Sequence, residues 1–94
     1  MSGTKFEARL YHVRGRVQGV GYRNFAQQAA TRLEITGWTR NLDDGRVAVF
    51  AQGPSNKLTE LEGLLWKGPH WSDVRGVDSS MAEPENLRGF IIRH

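Results

Sequence analysis

Between Gly15 and Arg23 the chain reads GRVQGVGYR, with glycines at 15, 19 and 21 and an arginine two residues after the last of them. Glycines this dense between a strand and a helix let neighbouring main-chain N–H groups turn inward together. Such a nest binds anions, and the helix N-terminus behind it adds partial positive charge. Glycine also serves tight turns that need positive φ, and spacing alone leaves both roles open. Arg23 favours the anion-binding role. In the first turn of a helix an arginine opposes the helix dipole, at a cost of about a few tenths of a kcal/mol or more. With an anion in the loop the sign reverses, and a guanidinium can grip two of its oxygens. The loop and Arg23 therefore point to a preorganised site for a phosphate-sized dianion.

The phosphate compound is a small one. A Walker loop needs G-x-x-x-x-G-K-[ST], and this stretch has no lysine. The dinucleotide pattern G-x-G-x-x-G fails as well, because Asn24 stands where the third glycine is required. A second polar residue of interest is Asn41, which ends the stretch GWTRN. Its amide carries a donor and an acceptor and can orient a water. Hairpin chemistry beside Asp43, Asp44 and Gly45 accounts for it equally well on spacing.

Composition narrows the setting. The 94 residues suit one domain, 1–94, with a loose terminus over 1–6. There are no cysteines, which removes disulfides, thiolate chemistry and Cys-based zinc sites. No apolar run reaches about 18 residues, and MSGTKFEARL has no apolar leader region. These features predict a cytoplasmic protein without membrane contact, and a monomer is the default state. The net charge of +3 favours anionic ligands in general without choosing among them. His12, His70 and His94 show no ligand spacing, so no metal is expected.

The elements that must position the loop follow from periodicity. EARLYHVRG alternates and is β-prone at Tyr11 and Val13. YRNFAQQAATRLEI places Tyr22, Ala26, Ala29, Ala30 and Leu33 on one helical stripe. ITGWTRN and GRVAVFAQG are two strands joined through LDDG, a strong hairpin signal. PSNKLTELEGLLWKGP predicts a second helix, with Ser55 as N-cap, Leu58, Leu61, Leu64 and Leu65 inward, and Lys67-Gly68-Pro69 as the stop. A weaker strand runs through Val74 and Val77, and GFIIRH ends the chain as a short one. Trp38, Trp66 and Trp71 are expected as core or rim packing. The order defines a ferredoxin-like split β-α-β α/β (α+β) sandwich, an antiparallel sheet with two helices on one face.

The combination of V-x-G-x-V-Q-G-V (Val13, Gly15, Val17 to Val20), Tyr22-Arg23, G-W-x-x-N (Gly37 to Asn41), Asp44-Gly45 and the closing F-I-I-R resembles the acylphosphatase family from about Tyr11 onward. That resemblance implies hydrolysis of the carboxyl–phosphate bond of acyl phosphates without metal or cofactor. It places the substrate phosphate against Gly15, Arg16, Val17, Gln18, Gly19, Val20, Gly21 and Tyr22. It assigns Arg23 to the phosphate and Asn41 to the attacking water, and it implies that inorganic phosphate or sulfate can occupy the site. Three positions depart from the family pattern: Glu34 where glycine often follows the helix's last leucine, Thr39 for valine and His94 for tyrosine. A left-handed Glu34 would cost about 1 kcal/mol relative to glycine. The alternative is a non-catalytic phosphate-binding or nucleic-acid-binding domain of the same fold. Against nucleic acid, the aromatic motif of RNA-recognition sheets is absent from the central strands.

Overall fold

Side-chain alternation along β1 (Phe6–Arg16) decides which face of the sheet is covered: Tyr11 and Val13 are fully buried, while Leu10 and His12 are only half-buried. The computed structural model describes residues 5–94. After β1 come α1 (Tyr22–Arg32), β2 (Thr36–Asn41), β3 (Val47–Pro54), α2 (Ser55–Lys67), β4 (Asp73–Ala82) and β5 (Phe90–Ile92). The strands form one sheet in the order β4-β1-β3-β2-β5. Four of them pair antiparallel, but β5 runs parallel to β2, with Gly37 opposite Phe90 and Thr39 opposite Ile92. The sheet is thus mixed rather than wholly antiparallel. The chain after β4 crosses to the far edge and arrives there in the direction of β2.

Both helices lie on the face that carries Tyr11, Val13, Val47, Val49 and Ala51. From α1 the stripe Tyr22, Ala26, Ala29, Ala30 and Leu33 is buried, and from α2 Leu58, Leu61 and Leu65 are. The alanines allow α1 to approach the sheet closely, and the leucines supply the volume. Two tyrosine hydroxyls fasten the layers: Tyr11 donates to the Leu58 carbonyl at 3.3 Å and Tyr22 to the Leu65 carbonyl at 2.7 Å. No helix among the described residues is long and apolar enough to cross a membrane.

Helix ends show where local chemistry and sequence reading part. α1 stops at Arg32, three residues short of the predicted helical stretch, which runs to Ile35. The Ile35 N–H reaches back to the Ala30 carbonyl at 2.9 Å and the Glu34 N–H to that of Thr31 at 3.0 Å. This pair of bonds is the Schellman closure, and it puts Glu34 at φ 61, the one non-glycine residue with positive φ among those described. α2 begins at Ser55 itself, after Pro54, and no side chain caps it. Instead the Ser55 N–H donates to the Lys5 carbonyl at 2.7 Å. The loose terminus expected over 1–6 therefore does not include Phe6, which pairs with Pro54, or Lys5. Residues 1–4 lie outside the described part. Gly68 ends α2 at φ 66, as Lys67-Gly68-Pro69 predicts.

The tryptophans divide. Trp38 stacks on Phe50 with ring centroids 5.7 Å apart. Trp66 and Trp71 are 49% and 73% exposed, so neither belongs to the core. Trp71 lies T-shaped against His70, with ring centroids 4.7 Å apart.

Candidate active site

The loop between β1 and α1 is built from two kinds of residue. Val17 is buried and Val20 packs against the core, which pins the loop to the fold. Gly19 and Gly21 bend it, at φ 75 and φ 80, where nothing stands within 4 Å of a would-be Cβ. These glycines are present for conformation, not for lack of space. Gly21 is the N-cap of α1, a position usually held by a residue whose side chain accepts a first-turn N–H. Here no side chain caps the helix and no acidic residue lies in the first turn. The first intrahelical bond runs from the Phe25 N–H to the Gly21 carbonyl at 3.0 Å, so the N–H groups of Tyr22, Arg23 and Asn24 precede the helix ladder.

Arg23 follows the cap by two residues. Its Nη1 donates to the Arg93 carbonyl at 3.1 Å. Arg93 is itself fixed twice: its N–H donates to the Thr39 carbonyl at 2.8 Å, and its guanidinium lies 4.9 Å from the centre of the Trp38 ring. Thr39 is fully buried and its hydroxyl donates to the Ala48 carbonyl at 2.8 Å, so the chain of contacts from Arg23 ends in the middle of the sheet. Asn41 is the last residue of β2 and stands opposite Val47.

These groups meet in one open cleft of about 450 Å³, lined by Val17, Gly19, Gly21, Tyr22, Arg23, Asn24 and, from across the sheet, Asn41, Ile92 and His94. Of the positions singled out in the sequence, Val17, Gly19, Gly21, Tyr22, Arg23 and Asn41 are brought together there. Gly15 and Arg16 are not. They remain in β1, opposite Val74 and Asp73, after a bulge between Arg14 and Gly15. Gln18 and Val20 belong to the loop but do not line the cleft; the Gln18 side chain turns to the β2–β3 hairpin. Ile92, His94 and Asn24 were missed. Asn24 follows Arg23 directly and could have been found from the first-turn argument. Ile92 and His94 owe their place to the parallel docking of β5, which no local pattern announces.

Titration behaviour separates the packing groups from the exposed ones. Burial pushes the Tyr22 hydroxyl well above the ordinary tyrosine range. Burial also raises Tyr11, partly opposed by its neighbour Arg9. The Asp44 carboxylate, in the turn after Asn41, is held below its usual value by the Arg46 main-chain N–H and then by the Arg46 side chain. No group of three or more His, Asp or Glu side chains able to hold a metal ion occurs among the described residues.

Fold and cleft together define a ferredoxin-like sandwich with an open cleft at its first strand-to-helix junction. The family model described as Acylphosphatase matches residues 9–92. An acylphosphatase of Solibacter usitatus is 60% identical over 87 residues, covering 93% of this chain and 91% of that protein. An acylphosphatase of Koribacter versatilis is 52% identical over 87 residues, covering 92% of this chain and 79% of that protein. The solved acylphosphatase of Coxiella burnetii superposes with a TM-score of 0.90 at 30% identity, covering 99% of this chain and 100% of that one. The chain belongs to the acylphosphatase family. It is accordingly an enzyme of the acylphosphatase type, and its substrate class is small-molecule acyl phosphates.

Proposed function

We propose that the enzyme hydrolyses the carboxyl–phosphate bond with the phosphoryl group held by the main-chain N–H groups of the loop through Gly21 and Tyr22 and by Arg23. Asn41 directs the attacking water. The observation that carries this reading is the uncapped N-terminus of α1. It has an arginine in its first turn, no acid there, and a cleft that opens on Gly19, Gly21 and Arg23 on one side and Asn41 on the other. A cation at a helix N-terminus is unfavourable until an anion joins it.

In the proposed reaction, water oxygen forms a bond to phosphorus as the bond from phosphorus to the acyl oxygen breaks. The electron pair leaves with the carboxylate. A carboxylate is the conjugate base of an acid with a pKa near ~4, so its departure needs no general acid. One proton of the water passes to a phosphoryl oxygen, giving inorganic phosphate. The site's work is then positioning and electrostatic stabilisation of the charge on the equatorial oxygens. No step calls on a cofactor. A cytoplasmic, monomeric enzyme belongs to the same reading, and the lack of cysteine supports its reducing setting.

The test is steady-state hydrolysis of benzoyl phosphate by the full chain with chelator present, for the native protein, Arg23→Gln and Asn41→Ala. Losses of about 10²-fold or more in kcat for each variant support the roles assigned. Native activity with either variant unimpaired removes that residue from the mechanism.

A further inference from the structure

The sheet order creates a difficulty for any site made of the β1–α1 loop and the end of β2. β3 lies between β1 and β2. Val47 pairs with both Val13 and Asn41, so the ladders tie the end of β1 to the end of β2, but no ladder reaches residues 17–21 themselves. Beside the Arg23–Arg93–Thr39 chain of contacts, which ties α1 to β2, one side chain joins the loop directly to the hairpin. The Gln18 amide Nε2 donates to the Leu42 carbonyl at 2.8 Å and to the Arg46 carbonyl at 2.9 Å. Among the described residues these are the hydrogen bonds that join 17–21 to 41–46.

Their placement is selective. Leu42 is the residue after Asn41, and Arg46 precedes Val47, the cross-strand partner of Asn41. The amide thus grips the hairpin on both strands at the level of Asn41. Both amide hydrogens are engaged, so the group has no donor left for a phosphate. The reverse assignment of the amide would set its oxygen against two carbonyl oxygens, which excludes it. Neither carbonyl depends on Gln18 alone: that of Leu42 also accepts the Gly45 N–H at 3.2 Å, and that of Arg46 the Leu42 N–H at 2.8 Å. Removing the amide therefore leaves no orphaned acceptor and costs the fold little.

We propose that Gln18 is a positioning residue, which sets the distance between the phosphate-binding loop and Asn41 without touching the substrate. This rests on the reading above, in which the loop holds the phosphate and Asn41 the water. An in-line attack tolerates little error, since misplacement by about 1 Å can cost on the order of 10²-fold in rate.

The experiment uses the full chain, benzoyl phosphate as substrate and inorganic phosphate as competitive inhibitor. Gln18→Met keeps the side-chain length and removes both donors; Gln18→Asn keeps the amide and withdraws it by one methylene. Each is measured alone and combined with Asn41→Ala, together with thermal unfolding. The expected result is a kcat lower by roughly tenfold or more in both Gln18 variants. The inhibition constant for phosphate stays within about twofold and the melting temperature is nearly unchanged. In the Asn41→Ala background the Gln18 changes add nothing further, as expected of residues acting through one another. An unchanged kcat in a folded variant overturns the proposal. So does phosphate inhibition that weakens in step with kcat, which would make Gln18 a ligand, or losses that multiply with that of Asn41→Ala. Full activity of Asn41→Ala alone is a separate outcome: it removes Asn41 from the mechanism and this role of Gln18 with it.

Discussion

The Arg23 guanidinium donates to the main-chain carbonyl of Arg93 at 3.1 Å, tying the first turn of α1 to the residue that follows β5. One nitrogen of the fork is spent on holding the side chain in place, and the others remain for a ligand. Lysine offers a single point of charge without the planar fork, so it cannot hold that carbonyl and present two parallel N–H groups to the ligand. Arg23→Lys is therefore expected to lose on the order of 10²-fold in kcat/KM for benzoyl phosphate and to weaken competitive inhibition by inorganic phosphate. Steady-state kinetics with and without phosphate measures both. Retention of tight phosphate inhibition would show that the charge alone suffices and that the fork geometry is idle.

Glu34 is held at φ 61 by the Schellman bonds at the end of α1. A side chain in the left-handed region costs about 1 kcal/mol or slightly more, and glycine avoids this at the expense of a more flexible unfolded chain. Glu34 is exposed, so no packing is lost with it. Glu34→Gly is expected to stabilise the fold by up to about 0.5 kcal/mol, equivalent to roughly 2–4 °C in Tm for a domain of this size. Urea unfolding and a thermal scan provide the check, and kcat serves as the control, since the position is outside the cleft.

Most of what local pattern can encode was legible. The α1 stripe, the Asp-Gly hairpin and the α2 stop each rest on residues whose neighbours in sequence are also their neighbours in space. The bend of the loop was legible for the same reason, because Gly19, Gly21 and Arg23 lie within a few residues of chain. What was not legible depends on closure of the sheet. Three residues of β5 are too few for alternation to reveal a parallel partner, so Ile92 and His94 could not be placed in the cleft. Gly15 and Arg16 looked like loop until the bulge and pairing with β4 kept them in the strand. Gln18 carried no signal of its brace, because its two acceptors are 24 and 28 residues away. The left-handed turn at Glu34 is a case where the family resemblance supplied what propensity would have denied.

The glycines of the loop region should separate by mutation. A Cβ at Gly15 would overlap the Asp73 carbonyl oxygen and come within 2.7 Å of the Arg75 nitrogen, both main-chain atoms of β4 that cannot turn aside. Gly15→Ala is expected to cost about 2 kcal/mol or more in unfolding free energy, by overpacking added to the strain of φ 120. At Gly19 nothing stands within 4 Å, so Gly19→Ala meets only the backbone penalty of about 1 kcal/mol. Its activity should fall further than its stability, since the loop N–H groups would re-aim. Denaturant midpoints compared with kcat for the two variants decide this. Equal stability losses would mean that the β1–β4 bulge can yield.

Tyr22 links the layers through its 2.7 Å bond to the Leu65 carbonyl, and burial holds its hydroxyl neutral far above the ordinary tyrosine pKa of 10. The folded value is raised relative to the unfolded one. The stabilisation it brings is therefore complete below pH 10 and lost as pH climbs above it, because only the unfolded chain then releases the proton. The loss approaches about 1.4 kcal/mol per pH unit for this one group. Tyr22→Phe removes both the bond and the titration. At neutral pH it is expected to cost about 1–2 kcal/mol, leaving the Leu65 carbonyl without this donor. Between pH 10 and 12 the gap to the native protein should narrow and then close. Urea unfolding at pH 7, 10 and 11.5 tests the sign. A constant gap would mean that the phenol ionises as readily in the folded protein as in the unfolded chain, and a widening one that folding favours the phenolate; either overturns the sign.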